Sequence, residues 1–553
     1  VIRTLFAALL ASLAAPGFAS GLIDNVNGLT VDESGDLVHF TALLLDKDGR
    51  IEKRLKDGDP RPKQLDFRYD GKGRTLVPGL IDAHGHVMSL GLAQLNLDLS
   101  DTKTLDEAKA KIAAFAAANP GRPWIIGRGW NQEVWGLGRF PNAADLAGIG
   151  GGRPIMLSRV DGHALWANDA ALKAAGITAT TKSPAGGRIE TAAGKPTGIL
   201  VDAAMPLLTR FVPAPQPKDY DAAFLKAQQV LLARGVTAIA DMGTDLQDWQ
   251  AFRRAGDRGA LRIRIMAYAA GTEQASIIAG PGPTPWLYDD KLRLGGVKLV
   301  SDGALGSRGA WLKAPYADAP GQTGLPILTP AQLRNQMSRA AMDGFQLAVH
   351  AIGDRANVEM LDAIDELSET YKGDRRWRIE HAQIVDPLDL PRFAQHGAIA
   401  SMQPQHESSD WQMATARLGS ARLGGAYAWK SMLDNKVTLA FGSDVPVEPA
   451  DPFIGLKSAL TRMDGNDQPP GGWLPEQRID FTHALRAYTW GAAYAGFAEQ
   501  RFGNLAVGQR ADFLILDRDI ERARPADLPA TRVIEVWIGG QRVIVRDNAR
   551  ETE

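Results

Sequence analysis

Leu76-Val77-Pro78-Gly79-Leu80-Ile81-Asp82-Ala83-His84-Gly85-His86 is an apolar run that carries the backbone into a His-x-His pair. Side chains two apart on a strand project to one side. His84 and His86 would face the same way and could grip one metal ion, with Gly85 letting the backbone come close to whatever they hold. The plain alternative is a buried strand that happens to end in two histidines, and the pair alone does not choose between them.

The rest of the chain supplies the context. Seven more apolar runs follow: Val236 to Met242, Leu261 to Ala269, Leu292 to Val300, Phe345 to His350, Trp377 to His381, Ala398 to Met402 and Val437 to Phe441. Ala- and Leu-rich helical stretches, such as Ala222 to Ala233 and Pro330 to Met342, lie between most of them. Strands alternating with helices predict an α/β chain built on a TIM-type (β/α)8 barrel, whose chemistry sits at the carboxyl ends of its strands. Five runs end in residues suited to metal binding or proton transfer: His84 with His86, Lys298 with Asp302, His350, His381 and Asp444. Chance would rarely align five.

Outside the barrel, residues 20–75 and 502–553 read as short strands and turns, among them Val38 to Leu45, Ala511 to Leu516 and a Val533 to Val545 hairpin turning at Gly539-Gly540. Neither end has much sheet alone, and together they predict one small β-sandwich. The barrel then takes residues 76–100 and 216–501. The intervening 101–215 is too long for one helix; it holds a helix over Leu105 to Ala118 and predicts an inserted α+β lid after the first barrel strand. Trp124, Trp130, Trp135 and Trp166 fall in this insert, where they would line an apolar pocket or pack the lid's own core.

The chain has 553 residues, 45% of them hydrophobic, with Lys+Arg 62 against Asp+Glu 64 and a net charge of -2. Nothing in that balance points to nucleic acid or an anionic membrane. There is no cysteine, which excludes disulfides and thiolate metal sites. A metal must then be held by His, Asp, Glu or a modified Lys, and the chain has only nine histidines. Residues 1–19 read as a signal peptide: Arg3, an apolar stretch from Leu5 to Ala15, and small residues at Gly17 and Ala19. The stretch is too short to span a bilayer comfortably. Export is expected, to the periplasm in a Gram-negative source, with no stable membrane insertion after cleavage.

As one site, the five strand ends offer four imidazoles, a lysine and an aspartate. Imidazole suits zinc and similar transition metals. Two such ions need a bridge, and a lysine amine carboxylated by CO2 becomes a carbamate with one oxygen for each. Lys298 lies in apolar surroundings that disfavour its ammonium form; the structural alternative is a lysine paired with Asp302. Asp444, in Phe441-Gly442-Ser443-Asp444, could touch a metal and accept a proton from metal-activated water, then pass it to a leaving nitrogen. Its alternative is a plain turn or helix cap.

These stretches resemble the amidohydrolase superfamily. The likeness is carried by Pro78 to His86, Val349-His350-Ala351-Ile352-Gly353-Asp354-Arg355-Ala356, Arg378-Ile379-Glu380-His381-Ala382-Gln383, Phe441 to Asp444 and the closing Gly503 to Phe513. Asp302 to Ala310 and Asp161-Gly162-His163-Ala164-Leu165-Trp166-Ala167-Asn168 are similar to the YtcJ-like branch, which includes N-substituted formamide deformylase and the AepA-like proteins. The resemblance implies that His84, His86 and Asp444 bind the more buried ion, that carboxylated Lys298 bridges, and that His350 and His381 hold the second. Zn2+ is the expected metal; Mn2+ or Fe2+ also accept this ligand set. An uncarboxylated Lys298 would leave a single ion. Asp444 is the expected proton shuttle. His163 would reach over the site to bind substrate or polarise its carbonyl, the alternative being a loop histidine bonded to Asp161. Arg308 would bind a substrate carboxylate at two points, or form a structural ion pair with a neighbouring loop.

The expected activity is metal-dependent hydrolysis of a C–N bond of amide, N-formyl or cyclic amide type in a small molecule. Hydrolysis of lactones, esters or phosphoryl esters on the same machinery is the second reading, and a secreted metal-binding or regulatory protein without turnover is the third. A homodimer is the commonest symmetric assembly.

Overall fold

The computed structural model describes residues 20–132, 134–159, 164–184, 187–202 and 204–545. The expected signal peptide and His163 lie outside them. The chain divides into two compact units, one taking residues up to His86 and from Gln228 onward, the other Val87–Ala227.

In the larger unit, eight parallel strands lie side by side in sequence order: β1 (Leu80–Gly85), β2 (Val236–Thr244), β3 (Arg264–Ala270), β4 (Leu292–Val300), β5 (Gln346–Ala351), β6 (Arg378–His381), β7 (Ile399–Met402) and β8 (Thr438–Phe441). Nearly every residue in them is buried, as expected of strands covered on both faces. The barrel is nearly closed. Its seam is held just beyond β8, where Asp444 N donates to His84 O at 2.7 Å and His86 N to Val445 O at 2.8 Å. Small residues such as Ala83, Ala238, Ala240, Ala348 and Ala440 fill the interior with Met266 and Tyr268, and the helix Trp490–Ala495 packs on them. Helices flank the strands, as the α/β reading requires. Pro330–Met342 spans the predicted residues, and its Thr329 and Gln332 form a capping box.

The opening apolar run is not one strand. Thr75–Pro78 joins a six-stranded sheet of the chain ends and Leu80–Gly85 joins the barrel. The break falls at Pro78-Gly79. A Cβ on Gly79 would stand 2.2 Å from Thr237 Oγ1, so only glycine lets the chain pass β2 as it changes sheets. Val38 to Leu45 divides likewise, with Leu37–Phe40 in the six-stranded sheet and Ala42–Leu45 in a four-stranded one. The six-stranded sheet pairs Thr75–Pro78 and Asn27–Val31 from one end of the chain with Phe513–Leu516 and Val533–Ile538 from the other. The two sheets share a core of Ile23, Leu43, Ile51, Phe513, Ile515 and Trp537. Gly539 and Gly540 turn the last hairpin at φ 57° and 74°, the left-handed pair a two-residue turn needs.

The expected insert, 101–215, falls within the second unit. A six-stranded sheet runs there, with Ile125–Trp130 and Ile155–Arg159 parallel and Ala164–Ala167 antiparallel beside them. The helix Leu105–Ala118 has the predicted bounds; Thr104 caps it by accepting from Glu107 N. Trp130, Trp135 and Trp166 are buried in edge-to-face contact, so they pack this unit's core.

Candidate metal centre

His84 ends β1, His350 lies in β5, and His381 ends β6. The barrel register sets Val300 beside His350, and His350 beside Glu380. Four imidazoles form a continuous series: His86 to His84 at 5.6 Å between ring centroids, His84 to His381 at 4.6 Å, and His381 to His350 at 4.5 Å. Asp444 Oδ1 lies 3.0 Å from His86 Nε2 and 3.5 Å from His84 Nε2. Lys298 Nζ lies 3.2 Å from His84 Nε2. The six residues expected to form the site are thus brought together at the carboxyl ends of the strands. His381 and Asp444 hold φ at 73° and 60°, a region that non-glycine residues enter at a cost and that is seen where a side chain must be aimed.

The donor set fits a metal. One nitrogen of His84 is already engaged, Nδ1 donating to Glu380 Oε2 at 2.6 Å. His381 Nδ1 is similarly tied to Gln403 Oε1 at 2.8 Å. Each Nε2 is then left for the site, the arrangement in which an outer partner fixes the ligating ring. His350 Nε2 is buried with no hydrogen-bond partner and stands 3.5 Å from Asp302 Oδ1. One ligand atom each from His84, His381 and Asp444 falls within 4.8 Å of the others, spacing that one ion can span.

Electrostatics favour the ligating forms. Burial, then the nearby Lys298, lowers His84 to about 4. Burial, Lys298 and His84 lower His350 to about 3, and burial with the neighbouring imidazoles holds His381 well below the ordinary histidine value. These rings are therefore neutral at pH 7, as metal ligands must be. Burial alone would raise the Asp444 carboxyl, but its bond with His86 and the imidazoles of His84, His381 and His406 outweigh that, and Asp444 stays ionised. Burial lowers the Lys298 amine to about 8, which enlarges the neutral fraction, the form whose lone pair can attack CO2.

Beneath the imidazoles lies a buried polar layer whose role the sequence reading missed. Arg378 Nε donates to Glu380 Oε1 at 2.7 Å, and its Nη2 donates to Ala83 O at 2.6 Å and Ser401 Oγ at 3.0 Å. Burial pushes the Glu380 carboxyl up, yet the Arg378 guanidinium and the His84 bond more than reverse it, so Glu380 is ionised. The signal was the i, i+2 spacing of a cation and an anion on one strand face. Asp82 is the second omission. It accepts from Ser443 N at 2.9 Å and His84 N at 3.1 Å, joining the first strand to the segment after the last. The third is His406, in Gln403-Pro404-Gln405-His406, whose Nε2 lies 3.7 Å from Asp444 Oδ2. A histidine just past the seventh strand was the available signal.

Asp302 does not pair with Lys298. It accepts backbone bonds from Trp311, Ile352 and Gly353 at 2.8, 3.0 and 2.9 Å and so braces the loop after β5. Arg308 meets Asp318 at two points, Nε to Oδ1 at 3.1 Å and Nη2 to Oδ2 at 2.9 Å, and Arg417 meets the same carboxylate. The guanidinium offered to a substrate is engaged in the structural ion pair that was its alternative.

The sequence profile of the amidohydrolase family matches residues 69–544. The chain is 35% identical to the protein LONG AFTER FAR-RED 3 of Arabidopsis thaliana over 98% of its length and 95% of that protein's. It is 31% identical to YtcJ of Bacillus subtilis, over 93% of its length and 97% of that protein's. With N-substituted formamide deformylase of Arthrobacter pascens it shares 27% identity, over 85% and 88%. Among solved structures, a metal-dependent hydrolase from Pyrococcus horikoshii superposes with a TM-score of 0.76 at 26% identity, covering 92% of this chain and 99% of that one. With its barrel, its cluster of strand-end imidazoles and these relatives, the chain belongs to the amidohydrolase family, in the YtcJ-like branch.

Proposed function

We propose that the protein is a metal-dependent hydrolase of C–N bonds in small molecules, acting on an amide, N-formyl or cyclic amide group. The observation that carries this reading is the convergence of His84, His381 and Asp444 within 4.8 Å, with the other nitrogen of each imidazole already bonded. A relative named for deformylation of N-substituted formamides supports the C–N choice.

His84, His86 and Asp444 would hold one ion, His350 and His381 a second, with carboxylated Lys298 between them; zinc suits this set, and manganese or iron(II) would also bind. The cation, when bound, supplies Lewis acidity that lets water ionise near neutral pH and draws electron density from a carbonyl. The remaining work falls to this chain. Asp444, ionised and next to the imidazoles, takes the proton of the attacking water and returns it to the nitrogen as the C–N bond breaks. Glu380, held by Arg378, keeps the His84 ring in one orientation.

We read the two sheets of the chain ends as a β-sandwich and the second unit as an inserted α+β domain. Residues 1–19 we read as a removable export signal.

The test is a purification from the periplasmic fraction, with the amino-terminal residue determined, metal counted by mass spectrometry and turnover followed on matched substrates. Expected are a start at Ser20, bound transition metal, and hydrolysis of amides, N-formyl amines or cyclic amides that falls at least about 10³-fold in Asp444→Asn. Activity confined to esters, lactones or phosphotriesters would overturn the C–N assignment. Equal, negligible turnover by both proteins on every substrate would favour the non-catalytic reading.

A further inference from the structure

His406 lies in the first turn of the helix Pro404–Leu418, directly after β7. Its ring is within 13° of parallel to that of His381, with centroids 5.9 Å apart. Gln383 Nε2 donates to His406 Nδ1 at 3.0 Å, which places a ring proton on Nε2. That N–H is buried and has no hydrogen-bond partner. A buried donor without an acceptor is costly and points to an absent group. The Nε2 to Asp444 Oδ2 distance, 3.7 Å, is too long for a direct bond. Asp444 turns its other oxygen, Oδ1, towards His86 and His84. A donor and a carboxylate oxygen thus stand side by side, the oxygen being the one not turned to His84 and His86. Two atoms bonded to the same carbon, a carbonyl oxygen and a leaving nitrogen, can meet that pair together.

We propose that His406 is a further catalytic residue, donating a hydrogen bond from Nε2 to the carbonyl oxygen of the substrate while Asp444 faces the nitrogen; this rests on the hydrolase reading above. When the water oxygen bonds to the carbonyl carbon, its proton goes to Asp444 and the carbonyl π pair moves onto the oxygen, where the His406 N–H meets the new negative charge. The pair then returns, the C–N bond breaks, and the nitrogen leaves with the proton from Asp444. Removing a donor of this kind costs about 10²–10³ in kcat.

His406→Phe keeps a flat ring without the donor, and His406→Gln places an amide N–H near the position of Nε2. Each is compared with wild type for metal content, for kcat and KM on the best amide of the panel, and for binding of methylphosphonate, a tetrahedral anion, to the metal-loaded protein by calorimetry. The expected result is unchanged metal content in both variants. In His406→Phe, kcat falls about 10²-fold with little change in KM, and methylphosphonate binds at least about tenfold more weakly; His406→Gln recovers part of both. Equal methylphosphonate affinity in wild type and His406→Phe, or loss of metal from both variants, would overturn the proposal. A panel with no amide turnover but a His406-dependent methylphosphonate affinity would sink the C–N reading and keep the donor.

Discussion

At the scale of single residues, the site is arranged by partners outside it. Arg378 and Glu380 are both wholly buried, and each is ionised because the other is there. Their pair fixes the proton of His84 on Nδ1 and points Nε2 at the cluster. Glu380→Gln keeps the shape and one acceptor but removes the charge. Metal affinity, measured by competition with a chelator, should fall about 10–100-fold, as it does when an outer carboxylate is lost from a ligating histidine. The variant should also unfold more readily, by about 3 kcal/mol, because Arg378 is left buried without its anion. Unchanged metal affinity would mean that Ala83 O and Ser401, acting on Arg378, suffice to hold the layer.

At the scale of elements, the helix Pro404–Leu418 brings an acid into the core. Glu407 is fully buried, neither of its carboxylate oxygens has a hydrogen-bond partner, and Arg462 Nε stands 3.6 Å away. Burial raises its pKa from 4.5 to about 7, with Arg462 opposing and Asp410 and Asp464 adding to the rise. The folded chain therefore binds this proton more tightly than the unfolded chain. Its contribution to stability is complete below about pH 4.5 and is lost as pH rises to about 7. At about 1.4 kcal/mol per pH unit, the loss is up to about 3 kcal/mol. Glu407→Gln removes the titration. In urea unfolding at pH 5 and pH 8, the variant should gain on wild type at the higher pH; an identical difference at both would show that Glu407 does not titrate there. Arg462 loses little in the exchange, since it also donates to Trp473 O and Tyr427 O and lies over the Trp429 ring.

Elements also show where sequence is readable. The helices Leu105–Ala118 and Pro330–Met342 were legible to their ends because Thr104 with Glu107, and Thr329 with Gln332, settle those ends locally. The barrel strands and their polar last residues were legible because burial on both faces demands continuous apolar runs. The break at Gly79 was not, since which sheet the chain joins there depends on residues far along the sequence, Thr237 beside Gly79 and Phe513 paired with Pro78. The choice between the two readings of Arg308 was not legible either: Asp318 is near in sequence, but only the folded loop turns the two together. His406 was not legible, because its meaning comes from Asp444, just beyond the neighbouring strand.

At the scale of the whole molecule, the barrel is weakest at its seam. β8 pairs with β7 along its length, but beside β1 the described residues show a single bridge, Gly85 to Val445, with the bonds of His84, His86 and Asp82 to the segment after β8. The expected metal ligands lie on both sides of that seam: His84 and His86 on one, Asp444 on the other. A bound cation would then add a tie across the seam to the few backbone hydrogen bonds that close the barrel there. Ligand linkage makes this measurable, because an ion at a thousand times its dissociation constant stabilises the folded state by about 4 kcal/mol. For a chain of this size, chelation should lower the melting temperature by a few degrees, and returned zinc should restore it. The location is the sharper test. Amide exchange should speed up on chelation at residues 80–86 and 438–446 more than along β4, which is laddered on both sides by β3 and β5. Uniform exchange in both states would mean that the cation does not join the two sides, and that the short segment Gly442 to Val445 holds the seam by its backbone and the Asp82 bonds alone.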